Sequence, residues 1–142
     1  MPMPAETDTS SPKHLRDKYA LVGVGETTYM RGSGVTTRAL GTWAVRNAIE
    51  DAGLKPSDVD GILSYQSGDS TFGTFIAGDL GIRPNFYIDV FGGGSSTEAL
   101  VGMAMGLMEA GMCKAVVIFR AMNGFSQVRI GGTGARDRKS VV

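Results

Sequence analysis

The sequence predicts an α/β fold with a mostly parallel sheet, on the basis of three observations. Short apolar runs alternate with helical patterns between residues 19 and 119. Glycines cluster after the apolar runs, where tight turns are needed. The regular alternation of apolar runs with helical patterns predicts parallel strands joined by right-handed crossovers. The predicted order is therefore β-α-β-α-β-α-β.

Each element has its own signal. In the first helical pattern, apolar residues recur at spacings of three and four, which predicts that they face the core: Leu40, Trp43, Ala44, Ala48, Ile49 and Ala52. Gly53 is placed to end that helix. The apolar runs predict strands at residues 19–24, 59–65, 86–91 and 114–119, and the patterns between them predict helices at 36–52, 71–80 and 95–110.

Three regions follow from composition along the chain. Residues 1–18 are rich in Pro, Ser, Thr and charge, and are expected to form a mobile N-terminal tail. Residues 19–132 hold all the predicted elements and form the structured unit. Residues 133–142 are polar and end without a closing element, so we expect a truncated C-terminal end.

The balance of residue types excludes several function classes. Lys+Arg and Asp+Glu both number 14, which gives no electrostatic reason to bind nucleic acid or an anionic membrane. One cysteine, Cys113, and one histidine, His14, leave no multi-cysteine or histidine-based ligand set for a metal, and no metal site is predicted. The N-terminus has no apolar segment of the signal-peptide kind, so a cytoplasmic location is expected.

The most informative segment is the helix that follows three glycines. Residues 95–110 are apolar on nearly every face, which predicts burial on all sides between two layers. Ser95 and Glu98 have the spacing of a capping box. The backbone N–H groups of Gly93, Gly94 and Ser95 are suited to hold an anion or a developing oxyanion. A well-capped helix without any chemistry is the alternative.

Three segments together resemble the thiolase superfamily, and within it the lipid-transfer and steroid side-chain aldolase branch. They are LVGVGETTYMR at residues 21–31, AVRNAIEDAGL at 44–54 running into DVDGI, and residues 92–111 followed by VIFRAMNG. The resemblance covers roughly residues 19–132. It implies the N-terminal half of a thiolase-like layered fold, in which the central helix is buried between two sheets.

In thiolases the nucleophilic cysteine lies at the N-terminus of that helix, which here corresponds to Gly93 or Gly94. Neither glycine can attack a substrate. Cys113 lies at the far end of the helix and is predicted to be a small core residue. Ser95 has no base beside it in the sequence, so a capping role is expected rather than a nucleophilic one.

Two groups of polar residues are weaker candidates. Arg120 and Asn123 follow the last strand at its C-terminal end, where parallel sheets present their sites. They are predicted to line a substrate pocket, with a dimer contact or a solvated loop as alternatives. The basic residues Arg129, Arg136, Arg138 and Lys139 either meet coenzyme A phosphates or belong to a frayed terminus.

The resemblance implies a function in lipid or steroid metabolism. Some members of the branch lack the cysteine and cleave a C–C bond in acyl-CoA thioesters, with acid and base groups from the second half. We therefore expect a retro-aldolase or acyltransferase that uses a coenzyme A thioester as substrate, has no bound cofactor and is inactive as this half alone. The alternative is a non-catalytic acyl-CoA-binding, lipid-binding or assembly subunit.

The resemblance also implies partners. A homodimer or a hetero-assembly is expected, with a zinc-ribbon/OB-fold protein as a possible partner subunit. A nucleotide-binding domain is a third hypothesis. The all-apolar central helix argues against it, and the Gly23-x-Gly25 motif lacks the third glycine of the dinucleotide fingerprint.

Overall fold

A computed structural model describes residues 15–126. The predicted tail up to residue 14, the basic residues from Arg129 onward and the predicted truncated end lie outside this range. The described elements are α1 (Thr37–Asp51), a 3₁₀ turn (Pro56–Asp58), β1 (Gly61–Gln66), α2 (Gly73–Leu80), β2 (Phe86–Phe91), α3 (Ser96–Glu109) and β3 (Val116–Phe119). The predicted α/β class is confirmed, and these elements fall within a few residues of their predicted bounds.

The sheet is parallel throughout its three described strands, in the order β2-β1-β3. Gly61 at the start of β1 is in register with Phe86 on one side and Val116 on the other. The central strand is buried along most of its length, and Ile62, Leu63 and Ser64 are fully enclosed. The two neighbours, β2 and β3, are the edges of this sheet.

Local chemistry sets the helix ends. The Thr36 hydroxyl accepts a hydrogen bond from the Ala39 N–H at 3.1 Å, which caps the first turn of α1. Gly53 follows the C-terminal end with φ of 68°, a conformation that favours glycine. In β2, the Asp89 carboxylate accepts from the first N–H of α2, that of Gly73, at 2.8 Å. It also accepts from the Ser64 hydroxyl.

Helices cover both faces of the sheet, giving three layers. On one face, α1 and α2 pack a cluster that includes Ile49, Ile76 and Val117. On the other face, α3 packs Leu100, Ala104 and Leu107 against the sheet. The carboxyl edge of the sheet is thereby held between two helical layers.

The predicted first strand is wrong for the part of the chain that the structure describes. Residues 19–24 form no strand and pair with no described strand, and the Leu21 side chain is 83% exposed. The segment is held against α1 instead. The Val24 N–H donates to the Asp51 carboxylate at 2.9 Å, and Gly23 lies so close that an added Cβ would be 2.8 Å from the Ala52 Cβ.

Two burial predictions are also corrected. The central helix α3 is not buried on all sides, because one sheet alone packs against it within residues 15–126. Its outer face is exposed along Ala99, Gly102, Met103 and Gly106, which recur at spacings of one turn. Trp43 was predicted to lie in the core, but 44% of it is exposed on α1.

Candidate functional site

The candidate site lies at the carboxyl edge of the sheet. All three strands run in the same direction, so their last residues Gln66, Phe91 and Phe119 meet at one edge. The loops that follow carry every predicted site residue. Parallel sheets bind their ligands at this edge, as the sequence analysis expected.

The turn between β2 and α3 is fixed from both sides. The Gly92 N–H donates to the Gln66 carbonyl at 3.1 Å, and the Ser67 hydroxyl donates to the Gly92 carbonyl at 3.0 Å. A Cβ on Gly92 would be 2.5 Å from the Ser96 hydroxyl oxygen. A side chain at position 92 would therefore displace the Ser96 hydroxyl, so glycine suits this tight entry into the helix.

The three predicted oxyanion donors are open to solvent. Gly93, Gly94 and Ser95 are all exposed, and within residues 15–126 their N–H groups make no hydrogen bond. They precede the first turn of α3, whose dipole places partial positive charge there. An oxygen atom that gains negative charge would find donors and a favourable field at this point.

The predicted capping box is wrong. Ser95 has helical backbone angles, with φ of −67° and ψ of −9°, and its side chain makes no capping hydrogen bond. The turn closes through backbone groups instead, since the Ser96 N–H donates to the Gly93 carbonyl at 3.0 Å. The Ser95 hydroxyl is consequently not committed to the helix end.

Steric space does not explain the missing cysteine. A Cβ added to Gly93 or Gly94 meets no atom within 4 Å, and neither residue has a positive φ. A side chain would fit at either position without backbone strain. The N-terminus of α3 is therefore open at Gly93 and Gly94, and the correspondence of these positions to the thiolase nucleophile stays a prediction.

Arg120 is held in a buried ion pair. Its guanidinium donates to the Asp69 carboxylate at 2.6 Å and to the Tyr65 carbonyl at 2.9 Å, and it lies over the Tyr65 ring at 4.2 Å. The two side chains are only 14% and 2% exposed. Arg120 thus fastens the loop after β1 to the end of β3, and its contact with a substrate stays a prediction.

Asn123 has a similar part in joining loops. It is buried, and its side-chain amide donates to the Val35 carbonyl at 2.7 Å, just before α1. Nearby, the Ala121 N–H donates to the Ser70 hydroxyl at 3.3 Å. The loop after β3 is therefore tied to two other loops at Ala121 and Asn123, while Met122 between them is exposed.

Ser67 and Asp69 were missed by sequence reasoning, although they join the two predicted groups of site residues. The Asp69 carboxylate accepts from the Ser67 N–H at 2.9 Å and also binds Arg120. Ser67 in turn holds Gly92. The available signal was Ser-Gly-Asp-Ser directly after a strand, because such residues form side-chain-stabilised turns.

Cys113 is buried, as predicted, and lies at the other end of α3 from the candidate site. Burial, and then the nearby Asp60 carboxylate, raise the pKa of its thiol. A thiol of that kind is a poor nucleophile at neutral pH. Between residues 15 and 126 there is no cluster of metal-ligating side chains, and no helix there is long and apolar enough to span a membrane.

The sequence is similar to those of two proteins of known activity. No protein-family model matches the chain. The chain is 36% identical over 113 residues to a steroid side-chain-cleaving aldolase from Thermomonospora curvata. It is 33% identical over 123 residues to a 17-hydroxy-3-oxo-4-pregnene-20-carboxyl-CoA lyase from Mycobacterium tuberculosis. These matches cover 79% and 86% of this chain.

Solved structures agree with these sequence relatives. The Ltp2-ChsH2(DUF35) aldolase superposes with a TM-score of 0.72 at 36% identity, over 80% of this chain. An SCP2-thiolase like protein from Mycobacterium smegmatis superposes with a TM-score of 0.57 at 24% identity, which supports the fold alone. The chain has a thiolase-like fold, and about four fifths of it is similar in sequence to a steroid side-chain-cleaving aldolase.

This thiolase-like chain is short beside its relatives. It spans 29% of the Thermomonospora aldolase and 32% of the mycobacterial lyase. It also spans 30% of the matched chain of the Ltp2-ChsH2(DUF35) aldolase. The activity, substrates and partners of those longer proteins are therefore not carried over as findings.

Proposed function

We propose that this thiolase-like chain supplies the oxyanion-binding part of an enzyme that cleaves or forms a C–C bond in acyl-CoA thioesters. The observation that carries the proposal is the row of exposed, unbonded N–H groups at Gly93, Gly94 and Ser95. They stand at the N-terminus of α3 without a thiol. The similarity to a steroid side-chain-cleaving aldolase and to a CoA lyase supports a retro-aldol reaction in steroid or lipid metabolism.

A retro-aldol reaction can use backbone N–H donors without a nucleophilic side chain. Breaking a C–C bond beside a thioester leaves a carbanion, which is stabilised as an enolate whose charge rests on the thioester oxygen. Backbone N–H groups aimed at that oxygen stabilise the transition state without forming a covalent bond to substrate. A base takes the proton of the β-hydroxyl as the C–C bond breaks, and an acid then returns a proton to the α-carbon to give the shortened thioester. We place the acid and base groups in polypeptide beyond this chain. The 142-residue chain by itself is then inactive.

The proposal includes an assembly. The name of one similar structure joins Ltp2 to ChsH2, and a hetero-assembly, or a homodimer, is proposed here too. A zinc-ribbon/OB-fold subunit is the proposed partner. A cytoplasmic location and a coenzyme A thioester substrate, with no resident cofactor, complete the proposal.

A chimera tests the activity. In the chimera, residues 15–126 of this chain replace the matched segment of the Thermomonospora aldolase. The chimeric protein is then incubated with a β-hydroxyacyl-CoA that bears a steroid ring system. We expect release of a ketone and a shortened CoA ester from the chimera, and none from this chain alone. A folded chimera that binds the thioester without turning it over would support a non-catalytic acyl-CoA-binding subunit.

Two substitutions at Ser95 distinguish the contribution of its backbone N–H to activity from that of its side-chain hydroxyl. Ser95 already has φ of −67°, the value that proline imposes, so Ser95→Pro removes one N–H donor with little change in the turn. In the chimera we expect Ser95→Pro to lower kcat about 10²–10³-fold, as for other lost oxyanion donors. Ser95→Ala retains the N–H and is expected to keep most of the activity. The reverse order of effects would identify the Ser95 hydroxyl as the reacting group.

A further inference from the structure

A side chain from the loop after β1 holds the glycine turn before α3. The Ser67 hydroxyl donates to the Gly92 carbonyl at 3.0 Å. From the preceding residue, the Gln66 carbonyl accepts from the Gly92 N–H at 3.1 Å. Two consecutive residues at the end of β1 therefore bind both backbone polar groups of Gly92.

The bond to the Gly92 carbonyl also sets the direction of the Gly93 N–H. The carbonyl of one residue and the N–H of the next belong to the same planar peptide unit, and in a trans unit they point in opposite directions. No peptide bond among the described residues is cis. Because its carbonyl is turned towards Ser67, this unit directs the Gly93 N–H away from Ser67, and Gly93 itself is exposed to solvent.

The backbone of the turn cannot hold this peptide unit by itself. Reversal of the unit turns ψ of Gly92 and φ of Gly93, and both residues lack the Cβ that ordinarily restricts these angles. The surroundings add no obstacle, since a Cβ placed on Gly93 would meet no atom within 4 Å. The hydrogen bond from Ser67 is therefore the contact that selects one of the two orientations.

The other two predicted oxyanion donors are oriented by the helix itself. The Gly94 N–H shares a peptide unit with the Gly93 carbonyl, which accepts from the Ser96 N–H at 3.0 Å. The Ser95 N–H shares one with the Gly94 carbonyl, which accepts from the Thr97 N–H at 3.4 Å. These bonds form together with the first turn of α3. Of the three donors, the Gly93 N–H is the one whose orientation depends on a side chain from another loop.

Ser67 is itself anchored by buried groups. Its N–H donates to the Asp69 carboxylate at 2.9 Å, and the other carboxylate oxygen binds the Arg120 guanidinium at 2.6 Å. Gly68 lies between the two residues with φ of 80°, a conformation that favours glycine and allows so short a turn. The buried ion pair thus fixes the place from which the Ser67 hydroxyl bonds to Gly92.

We propose that Ser67 is a positioning residue that fixes the direction of the Gly93 N–H. Its hydroxyl acts through the Gly92 carbonyl and does not touch the substrate. The orientation follows from contacts within this chain, whereas its catalytic consequence rests on the proposed function. Loss of the hydroxyl frees one donor and leaves the two donors that the helix orients.

Residual dipolar couplings test the orientation, because they report the direction and mobility of each N–H bond. In the isotope-labelled 142-residue chain, we expect Ser67→Ala to change the Gly93 coupling and to leave those of the other two donors as they are. Ser67→Thr keeps a hydroxyl and should restore the native Gly93 value. Ser70→Ala is the matched control, because the Ser70 hydroxyl binds the loop after β3 instead, and all three couplings should stay unchanged.

Turnover by the chimera with the Thermomonospora aldolase tests the catalytic consequence. We expect Ser67→Ala to lower kcat about three- to tenfold, the effect of one hydrogen bond, and to leave KM unchanged because the hydroxyl does not touch the substrate. Ser67→Thr should keep kcat within about twofold of the unsubstituted chimera. A merely structural loss would lower the amount of folded protein without this difference between the two variants.

Three results would overturn the proposal. They are a Gly93 coupling that Ser67→Ala leaves unchanged, equal changes at all three donors, and failure of Ser67→Thr to restore the native value. A different result would contradict the proposed function alone. If Ser67→Ala reorients the Gly93 N–H but leaves kcat of an active chimera unchanged, the orientation stands and Gly93 is not an oxyanion donor.

Discussion

Gly93 and Gly94 decide the chemistry available at the N-terminus of α3. They leave N–H groups exposed with no side chain over them, and they leave the site without a thiol. The space beside both residues is empty. The candidate site therefore offers hydrogen-bond donors for an oxygen that carries negative charge, and these residues provide no nucleophilic side chain.

A cysteine introduced at this point should behave as a reactive thiol. Gly94→Cys would stand at a helix N-terminus, where the dipole lowers the pKa of a thiol below its usual value of about 8.5. We expect faster alkylation by iodoacetamide at pH 7 than for Gly102→Cys, which is exposed on the same helix but lies further along it. The native Cys113, whose pKa burial raises, serves as the slow internal reference. Equal rates for the two introduced thiols would argue against a field at this helix end.

Removing Arg120 should destabilise the whole edge of the sheet. Arg120→Met leaves the Asp69 carboxylate buried and unpaired, which costs about 3–5 kcal/mol in the free energy of unfolding. Arg38→Met breaks the exposed pair with Asp79 and should cost clearly less, because solvent screens that pair. Urea denaturation of both variants measures the difference. A second change, Asp69→Leu in the Arg120→Met protein, should recover part of the loss.

Among the elements, the segment of residues 19–24 shows how a strand-like sequence depends on its neighbours. Its apolar residues match a buried strand, but its backbone has no ladder to join within residues 15–126. Two glycines bring it against α1, where an added Cβ on Gly25 would overlap the backbone of Ala44 and Ala48. Close packing on a helix thus substitutes for pairing in a sheet.

Substitution of Gly23 tests that packing. Gly23→Ala would place a methyl group against the backbone of α1, so the segment must shift away from the helix. We expect a loss of about 1–3 kcal/mol in the free energy of unfolding, as for other overpacked sites. Gly78→Ala in α2 is the control, since it meets no neighbour and should stabilise the helix by about 1 kcal/mol. A neutral Gly23→Ala would show that the segment is not held against α1 in solution.

For the whole molecule, two apolar regions call for a partner. The outer face of α3 (Ala99, Gly102, Met103 and Gly106) is exposed, and a groove beside β3 has a free strand edge. Small residues on a helix permit close approach of another backbone, and exposed apolar surface favours association. These two surfaces are where we expect the chain to associate.

A charge placed on the outer face of α3 should reduce association. Met103→Glu introduces a carboxylate at the centre of that face, and we expect a lower mass in solution, measured by light scattering after size exclusion. Met112→Glu adds the same charge at an exposed methionine beyond the helix and should leave the mass unchanged. If both variants behave alike, the face is not the contact that associates.

The sequence by itself determined the α/β class and the position of each helix and of β1, β2 and β3. Those features come from local periodicity and from glycines at turns, which single segments carry. The tertiary structure alone decided that Arg120 pairs with Asp69, that Ser95 does not cap α3, and that residues 19–24 lie beside a groove. Such features depend on contacts between segments far apart in the chain and on which strands lie side by side. No local sequence pattern therefore encodes them.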